Sequence, residues 1–151
     1  MLYFAYGSNM LTARIEGRLG PCGRLGSACL TGHVLRFHKL GGLDGTGKCD
    51  AFPSNDPGDR VWGALLRLTE TQLARLDTIE GPGYRRVAVR VTFDEQLVEA
   101  TMYLAKRETR DSCLRPLDSY KKMVLAGARE LDLPADYIAA IEAVPSLPNH
   151  G

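Results

Sequence analysis

Three places in this 151-residue chain combine residue types that could do chemistry. The first is Tyr6-Gly7-Ser8-Asn9, directly behind an apolar run. Glycine at position 7 permits backbone angles closed to other residues. Successive N–H groups in such a turn form an anion-binding nest, and a short helix behind it would add its N-terminal dipole. The turn could hold a substrate carboxylate or a developing oxyanion. It also reads as an ordinary strand-to-helix turn with Ser8 or Asn9 as the cap. The second place is Glu80, just before Gly81-Pro82-Gly83. It follows the apolar phase of Leu73 and Leu76 at the end of a helical pattern, where the helix dipole is negative. Both features raise a carboxyl pKa toward the range a general acid/base uses. The competing reading is a solvated glutamate, or one paired with Arg85 or Arg86. The third place is Gly42, Gly47 and Lys48, which match G-x-x-x-x-G-K. A phosphate loop needs a hydroxyl at the next position and a helix after it. Cys49 and the run 53–58 (Pro-Ser-Asn-Asp-Pro-Gly) supply neither, so this is expected to be a surface hairpin loop.

The remaining candidates are weaker. His33 and His38 lie five apart in a strand region and would face opposite sides; His150 sits near the end of the chain. Tyr84, Tyr103 and Tyr120 could offer hydroxyls to a pocket, although most such tyrosines are core residues with a wet tip. Cys22, Cys29, Cys49 and Cys113 contain no C-x-x-C pair, which removes the main support for a zinc or thioredoxin-like site. No Ser–His–Asp or Cys–His arrangement is readable from spacing.

These residues need elements to position them. Residues 2–6 read as a buried strand, 10–15 as a short helix, and 24–39 as one or two strands. Residues 40–48 form a glycine-rich loop, 49–53 a short strand and 61–68 another strand. Thr69 and Gln72 have capping-box spacing and open a helix that Gly81 and Pro82 end. Val87, Val89, Val91 and Phe93 alternate with Arg86, Ala88, Arg90 and Thr92, the period-2 pattern of a half-buried strand. Asp94-Glu95-Gln96 turns it into an antiparallel partner over 97–104. A helix follows Pro116, and another starts at Leu133-Pro134 with proline in its first turn. Residues 144–151 read as a loose tail. Strand-to-strand hairpins outnumber helical crossovers, so the expected fold is α+β: a mixed, mainly antiparallel sheet curled into a small barrel with flanking helices.

Composition sets the outer bounds. The length predicts a single domain over 1–151. Hydrophobic residues are 44% and charged residues 25%, ordinary globular values that argue against disorder and coiled coil. Nineteen basic and 18 acidic residues leave a net charge of +1, without the basic footprint of a nucleic-acid binder, although Arg85-Arg86 could form a local patch. No run approaches a membrane span, and the N-terminus has no basic n-region. The expectation is a soluble cytoplasmic protein with free thiols. A homodimer through Trp62 or the 61–68 strand is a further possibility.

In order along the chain, several segments resemble the gamma-glutamylcyclotransferase-like (AIG2-like) family. They are Leu2-Tyr3-Phe4-Ala5-Tyr6-Gly7-Ser8-Asn9-Met10-Leu11-Thr12, Val61-Trp62-Gly63, Leu76-Asp77-x-x-Glu80-Gly81 with Tyr84, Tyr120-Lys121-Lys122, Gly127-Ala128 and Leu133-Pro134-x-x-Tyr137. The resemblance spans residues 2–137 and is less sharp over 41–58. It implies a barrel-like α+β domain that binds a small γ-glutamyl substrate through Tyr3, Tyr6, Gly7, Ser8, Asn9 and Tyr120. It implies Glu80 as general acid/base, with no metal and no organic cofactor. The implied reaction is cyclisation of the γ-glutamyl group to 5-oxoproline with release of an amino acid or amine. Two alternatives stand beside it: an enzyme restricted to γ-glutamylamines or a γ-glutamyl-capped intermediate, and a non-catalytic γ-glutamyl-binding module.

Overall fold

The computed structural model describes residues 1–149; His150 lies outside the described residues. The strands are β1 (Leu2–Ala5), β2 (Gly23–Thr31), β3 (His33–Leu40), β4 (Gly47–Pro53), β5 (Arg60–Arg67), β6 (Tyr84–Phe93) and β7 (Gln96–Ala105). The helices are α1 (Thr12–Leu19), α2 (Glu70–Glu80), α3 (Asp118–Glu130) and α4 (Ala135–Glu142). Five strands close a barrel in the order β1-β5-β2-β6-β7. Every neighbouring pair is antiparallel except the closing one, where β1 runs parallel to β7 at Tyr3 and Thr101. Strands β3 and β4 form a separate two-stranded sheet. The α+β barrel expected from the hairpin-rich order is the architecture observed.

The period of two in the strands divides the apolar residues between two cores. Along β1, Phe4 faces the barrel interior with Leu65, Val91 and Met102. Tyr3 and Ala5 face the other way, with Leu66 of β5, Ile15 and Leu19 of α1, and Leu73 and Leu76 of α2. Burying each large aliphatic or aromatic side chain contributes about 1.5–3 kcal/mol. A short apolar strand with apolar residues on both faces therefore holds two layers together.

Local chemistry sets most element ends. The Thr69 hydroxyl accepts from the Gln72 N–H at 3.0 Å while the Gln72 side chain accepts from the Thr69 N–H, so the capping box is complete. Helix α2 ends at Gly81 with φ at 81°, the left-handed region that glycine enters cheaply. Asp94 and Glu95 take φ of 50° and 64° and form a two-residue hairpin turn that matches strand twist.

Four expectations are corrected. The segment behind β1 is a 3-10 turn, Ser8–Met10, and α1 begins only at Thr12, so neither Ser8 nor Asn9 caps it; their side chains are used elsewhere. Pro134 is the N-cap of α4, one position before the first turn. The tail is not loose through residue 149. Leu147 bridges Leu117, its N–H donates to Pro116 O at 2.8 Å, and Asn149 accepts from the Ser119 N–H at 2.9 Å. Strand β5 is paired on both sides, by β1 and β2, and so offers no free edge; Trp62 packs half-buried against the core. Among the described residues no helix is long and apolar enough to cross a membrane.

Helix α3 locks the turn after β1. Tyr120, Val124 and Gly127 fall on one helix face by their spacing, and all three are buried. A Cβ on Gly127 would lie 2.7 Å from Met10 Cβ and 2.8 Å from the Leu11 backbone nitrogen. Gly127→Ala must therefore push α3 off the turn. We expect a loss of about 1–3 kcal/mol, read as a fall in Tm of roughly 3–10 °C for a chain of this length. An unchanged melting curve would show that the contact is slack.

Candidate active site

The end of β1, the turn behind it, the last residue of α2 and the first turn of α3 converge on one end of the barrel. Glu80 is that last helical residue and only 17% of its side chain is exposed. Its neighbours are not Arg85 or Arg86; Arg86 pairs instead with Asp77 at 3.3 Å. Asn9 Nδ2 donates to Glu80 Oε1 at 2.9 Å and to the Tyr3 hydroxyl at 3.1 Å. Arg18 Nη1 donates to Asn9 Oδ1 at 3.1 Å and stands 3.9 Å from Glu80 Oε1. Asn9 is buried and both ends of its amide are used, as a buried polar group requires. Among the described residues Glu80 Oε2 has no hydrogen-bond partner, which leaves one carboxylate oxygen for chemistry.

Gly7 is tightly packed, and its φ is not in the left-handed region. Its φ is −109°, whereas the sequence suggested a left-handed turn. A Cβ there would stand 3.1 Å from Cys49 Cβ and 3.4 Å from the Tyr120 hydroxyl. Among the described residues the N–H groups of Gly7, Ser8 and Asn9 donate to no protein acceptor. They are three consecutive donors left without a protein partner.

These groups enclose an inner cavity of about 40 Å³. Tyr3, Tyr6, Gly7, Ser8, Asn9, Glu80 and Tyr120 all line it, so every candidate site residue is brought together. Cys49, Tyr84 and Tyr103 line it too. Tyr6 donates to the Tyr103 carbonyl. Two phenols clamp the Cys49 peptide: Tyr84 donates to its carbonyl at 2.6 Å, and the Tyr120 hydroxyl accepts from its N–H at 3.1 Å. The inner cavity opens into a larger cleft of about 820 Å³; Ser8, Glu80, Tyr84 and Tyr120 border both.

Burial raises the Glu80 pKa, and Arg18, the Asn9 amide, Lys39 and Arg14 pull it back only in part. Burial also raises the tyrosines of the inner cavity, which therefore stay neutral donors. The Cys49 thiol is pushed up to about 12, again chiefly by burial, so it is not a thiolate nucleophile near neutral pH. Among the described residues no three His, Cys, Asp or Glu side chains are grouped to hold a metal ion. His33 lies against the Thr31 carbonyl and His38 against Asp50, both away from the inner cavity. The Gly42–Lys48 match spans a β3–β4 hairpin: Gly42 lies in the connection, while Gly47 and Lys48, expected in the loop, already belong to β4.

The sequence reading missed the cations of the cleft. Arg14, Arg18, Lys39 and Lys48 all line it. Arg14 and Arg18 are four apart on α1, the spacing of neighbours on one helix face; Arg14 Nε donates to Ser8 Oγ at 3.2 Å. Two like charges at that spacing, just behind the Tyr-Gly-Ser-Asn turn, were an available signal.

Comparison with known proteins identifies the family. The AIG2-like family matches residues 60–141. A gamma-glutamylcyclotransferase of Homo sapiens is 33% identical, with 95% of this chain and 78% of that protein aligned. The protein of the same name from Bos taurus is 32% identical with the same coverage. A solved structure of a gamma-glutamyl cyclotransferase superposes with a TM-score of 0.88 at 32% identity, covering 99% of this chain and 90% of that one. A yeast gamma-glutamyl cyclotransferase specific to glutathione, 10% identical and covering 93% of each chain at a TM-score of 0.67, shares the fold alone.

The raised pKa of Glu80 carries a stability consequence. Its neutral form is favoured in the folded chain, so this contribution is complete below the unfolded carboxyl range and is lost as pH rises through the raised folded value. Glu80→Gln stays neutral at every pH. Its Tm should equal that of the wild type below about pH 4 and exceed it at neutral pH. A wild type that is the more stable of the two at neutral pH would show that Arg18 and Asn9 outweigh burial.

Proposed function

We propose that this chain, which belongs to the AIG2-like, gamma-glutamylcyclotransferase family, converts the γ-glutamyl group of a small substrate into 5-oxoproline and releases a free amine or amino acid, with Glu80 as general acid/base. The observation that carries the reading is the state of Glu80. It is a shielded carboxylate with a raised pKa, one oxygen held by Asn9 and the other free, bordering a cavity lined with donors.

The substrate's own α-amine attacks its γ-carbonyl carbon. A C–N bond forms, the five-membered lactam closes, and the original γ-amide C–N bond breaks. Glu80 takes a proton from the attacking nitrogen and returns it to the departing nitrogen, so no proton is gained or lost over the cycle. One residue can do both because its pKa is shifted toward neutrality. The free N–H groups of Gly7, Ser8 and Asn9 supply donors for an anionic oxygen of the substrate. Tyr3, Tyr6 and Tyr120 wall the inner cavity so that the glutamyl chain folds back on itself, and this positioning carries a share of the rate. No protein nucleophile is required, in keeping with a Cys49 thiol held protonated.

Incubation of the protein with γ-glutamyl dipeptides and γ-glutamylamines, with 5-oxoproline read by mass spectrometry, should show turnover. Glu80→Gln should lower kcat by about 10²–10⁴-fold, and the acidic limb of the wild-type pH–rate profile should disappear with it. Turnover of amines alone would restrict the substrate class. Binding without 5-oxoproline would make this a binding module. Equal rates in both proteins would remove Glu80 from the mechanism.

A further inference from the structure

The cleft outside the inner cavity contains a cation without a partner. Lys39 and Lys48 are directly opposite each other across β3 and β4, and like charges in that relation are destabilising. Both ammonium groups rest on tyrosines that separate the two cavities: Lys48 Nζ is 4.7 Å from the Tyr120 ring centre, and Lys39 Nζ is 4.6 Å from that of Tyr84. Their compensation differs. Lys48 donates to Asp44 at 3.1 Å. Lys39 is 7% exposed, yet among the described residues its ammonium has neither a hydrogen-bond acceptor nor an ion-pair partner. Burial and Lys48 lower its pKa, while the field of Glu80 raises it.

The end of this side chain lies directly over Gly83. A Cβ on Gly83 would lie 2.7 Å from both Lys39 Cε and Nζ. Arg14 and Arg18 are already engaged with Ser8, Asn9 and Glu80. Lys39 is thus a cation with a mostly buried stem whose ammonium opens on the cleft with unused donors. It stands beside Tyr84, at the boundary that the departing half of a substrate must cross. An ammonium in this position can make a charge-assisted hydrogen bond to an anion that enters the cleft.

We propose that Lys39 binds the α-carboxylate of the leaving amino acid and so makes the enzyme select γ-glutamyl-amino acids over γ-glutamylamines. The inference rests on the cyclotransferase reading above and adds a specificity-determining residue to it. Lys48, neutralised by Asp44, walls the same cleft without reading charge. Gly83 keeps the Lys39 ammonium at the boundary by leaving it room.

γ-Glutamyl-alanine and γ-glutamyl-ethylamine differ only in that carboxylate and form the test pair. Wild-type kcat/KM should favour γ-glutamyl-alanine by tenfold or more. Lys39→Met, close in volume, should lose at least tenfold on γ-glutamyl-alanine, mainly through KM, and stay within about twofold on γ-glutamyl-ethylamine. Equal losses in kcat/KM on both substrates, each taken at its own pH optimum, would mean that Lys39 acts through Glu80 and would overturn the proposal. So would a wild type without preference, which decides the matter even if Lys39→Met fails to fold. Calorimetry on Glu80→Gln, with and without Lys39→Met, separates binding from turnover. A carboxylate preference in binding that Lys39→Met abolishes, found without any 5-oxoproline production by the wild type, would sink the cyclotransferase reading and keep the Lys39 site. Binding of neither compound would sink both.

Discussion

A carboxylate shielded from water at the negative end of a helix is an unfavourable object, and the site is arranged around making one tolerable. Glu80 occupies that position at the end of α2. Desolvation works against its charge, and the helix dipole adds to the cost. Two groups offset this. The Asn9 amide donates directly to one oxygen, and Arg18 holds both the amide and the carboxylate from α1. The compensation is partial, which leaves the carboxyl between a fixed anion and a permanently neutral acid. Asn9 can serve only because the preceding strand is buried on both faces and delivers the turn to a fixed place. Helix α3 then closes on that turn through Gly127.

The same logic separates an inner from an outer compartment. The inner one is small and walled by neutral phenols whose protons cannot be removed near neutral pH. Its lining is rich in hydroxyl and amide donors. The outer one is wide and cationic. Tyr84 and Tyr120 form the partition, each facing the inner compartment and carrying a lysine.

Much of this was legible in the sequence where a rule is local. The capping box at Thr69 and Gln72, the alternation over 87–93, the hairpin turn and the Tyr-Gly-Ser-Asn turn all depend on residues within a few positions of each other. Glu80 was legible because its phase on α2 and its place before Gly81 are local facts. What escaped depends on pairing between distant segments. The role of Gly7 is a clearance from Cys49 and Tyr120, 42 and 113 positions away. Asn9 reads locally as a cap, but tertiary partners at Tyr3, Arg18 and Glu80 outcompete that use. The β3–β4 register that sets Lys39 opposite Lys48 could not be inferred from a glycine-rich loop of unassigned geometry. The ordered tail depends on Pro116 and Ser119, neither of which signals a partner in sequence.

The parallel closure of the barrel has a kinetic meaning. Strand β1 precedes its two neighbours, β5 and β7, by some 60 and 100 positions. Contacts of such long separation form slowly, since loop closure must precede any reward. Until Thr101 is available to Tyr3, the segment Leu2-Tyr3-Phe4-Ala5-Tyr6 is a two-faced apolar strand with at least one edge unpaired, the kind of segment that recruits other chains. Tyr3 and Tyr6, which line the inner cavity, lie within that exposed stretch. Their safety during synthesis depends on how soon β7 arrives to cover them.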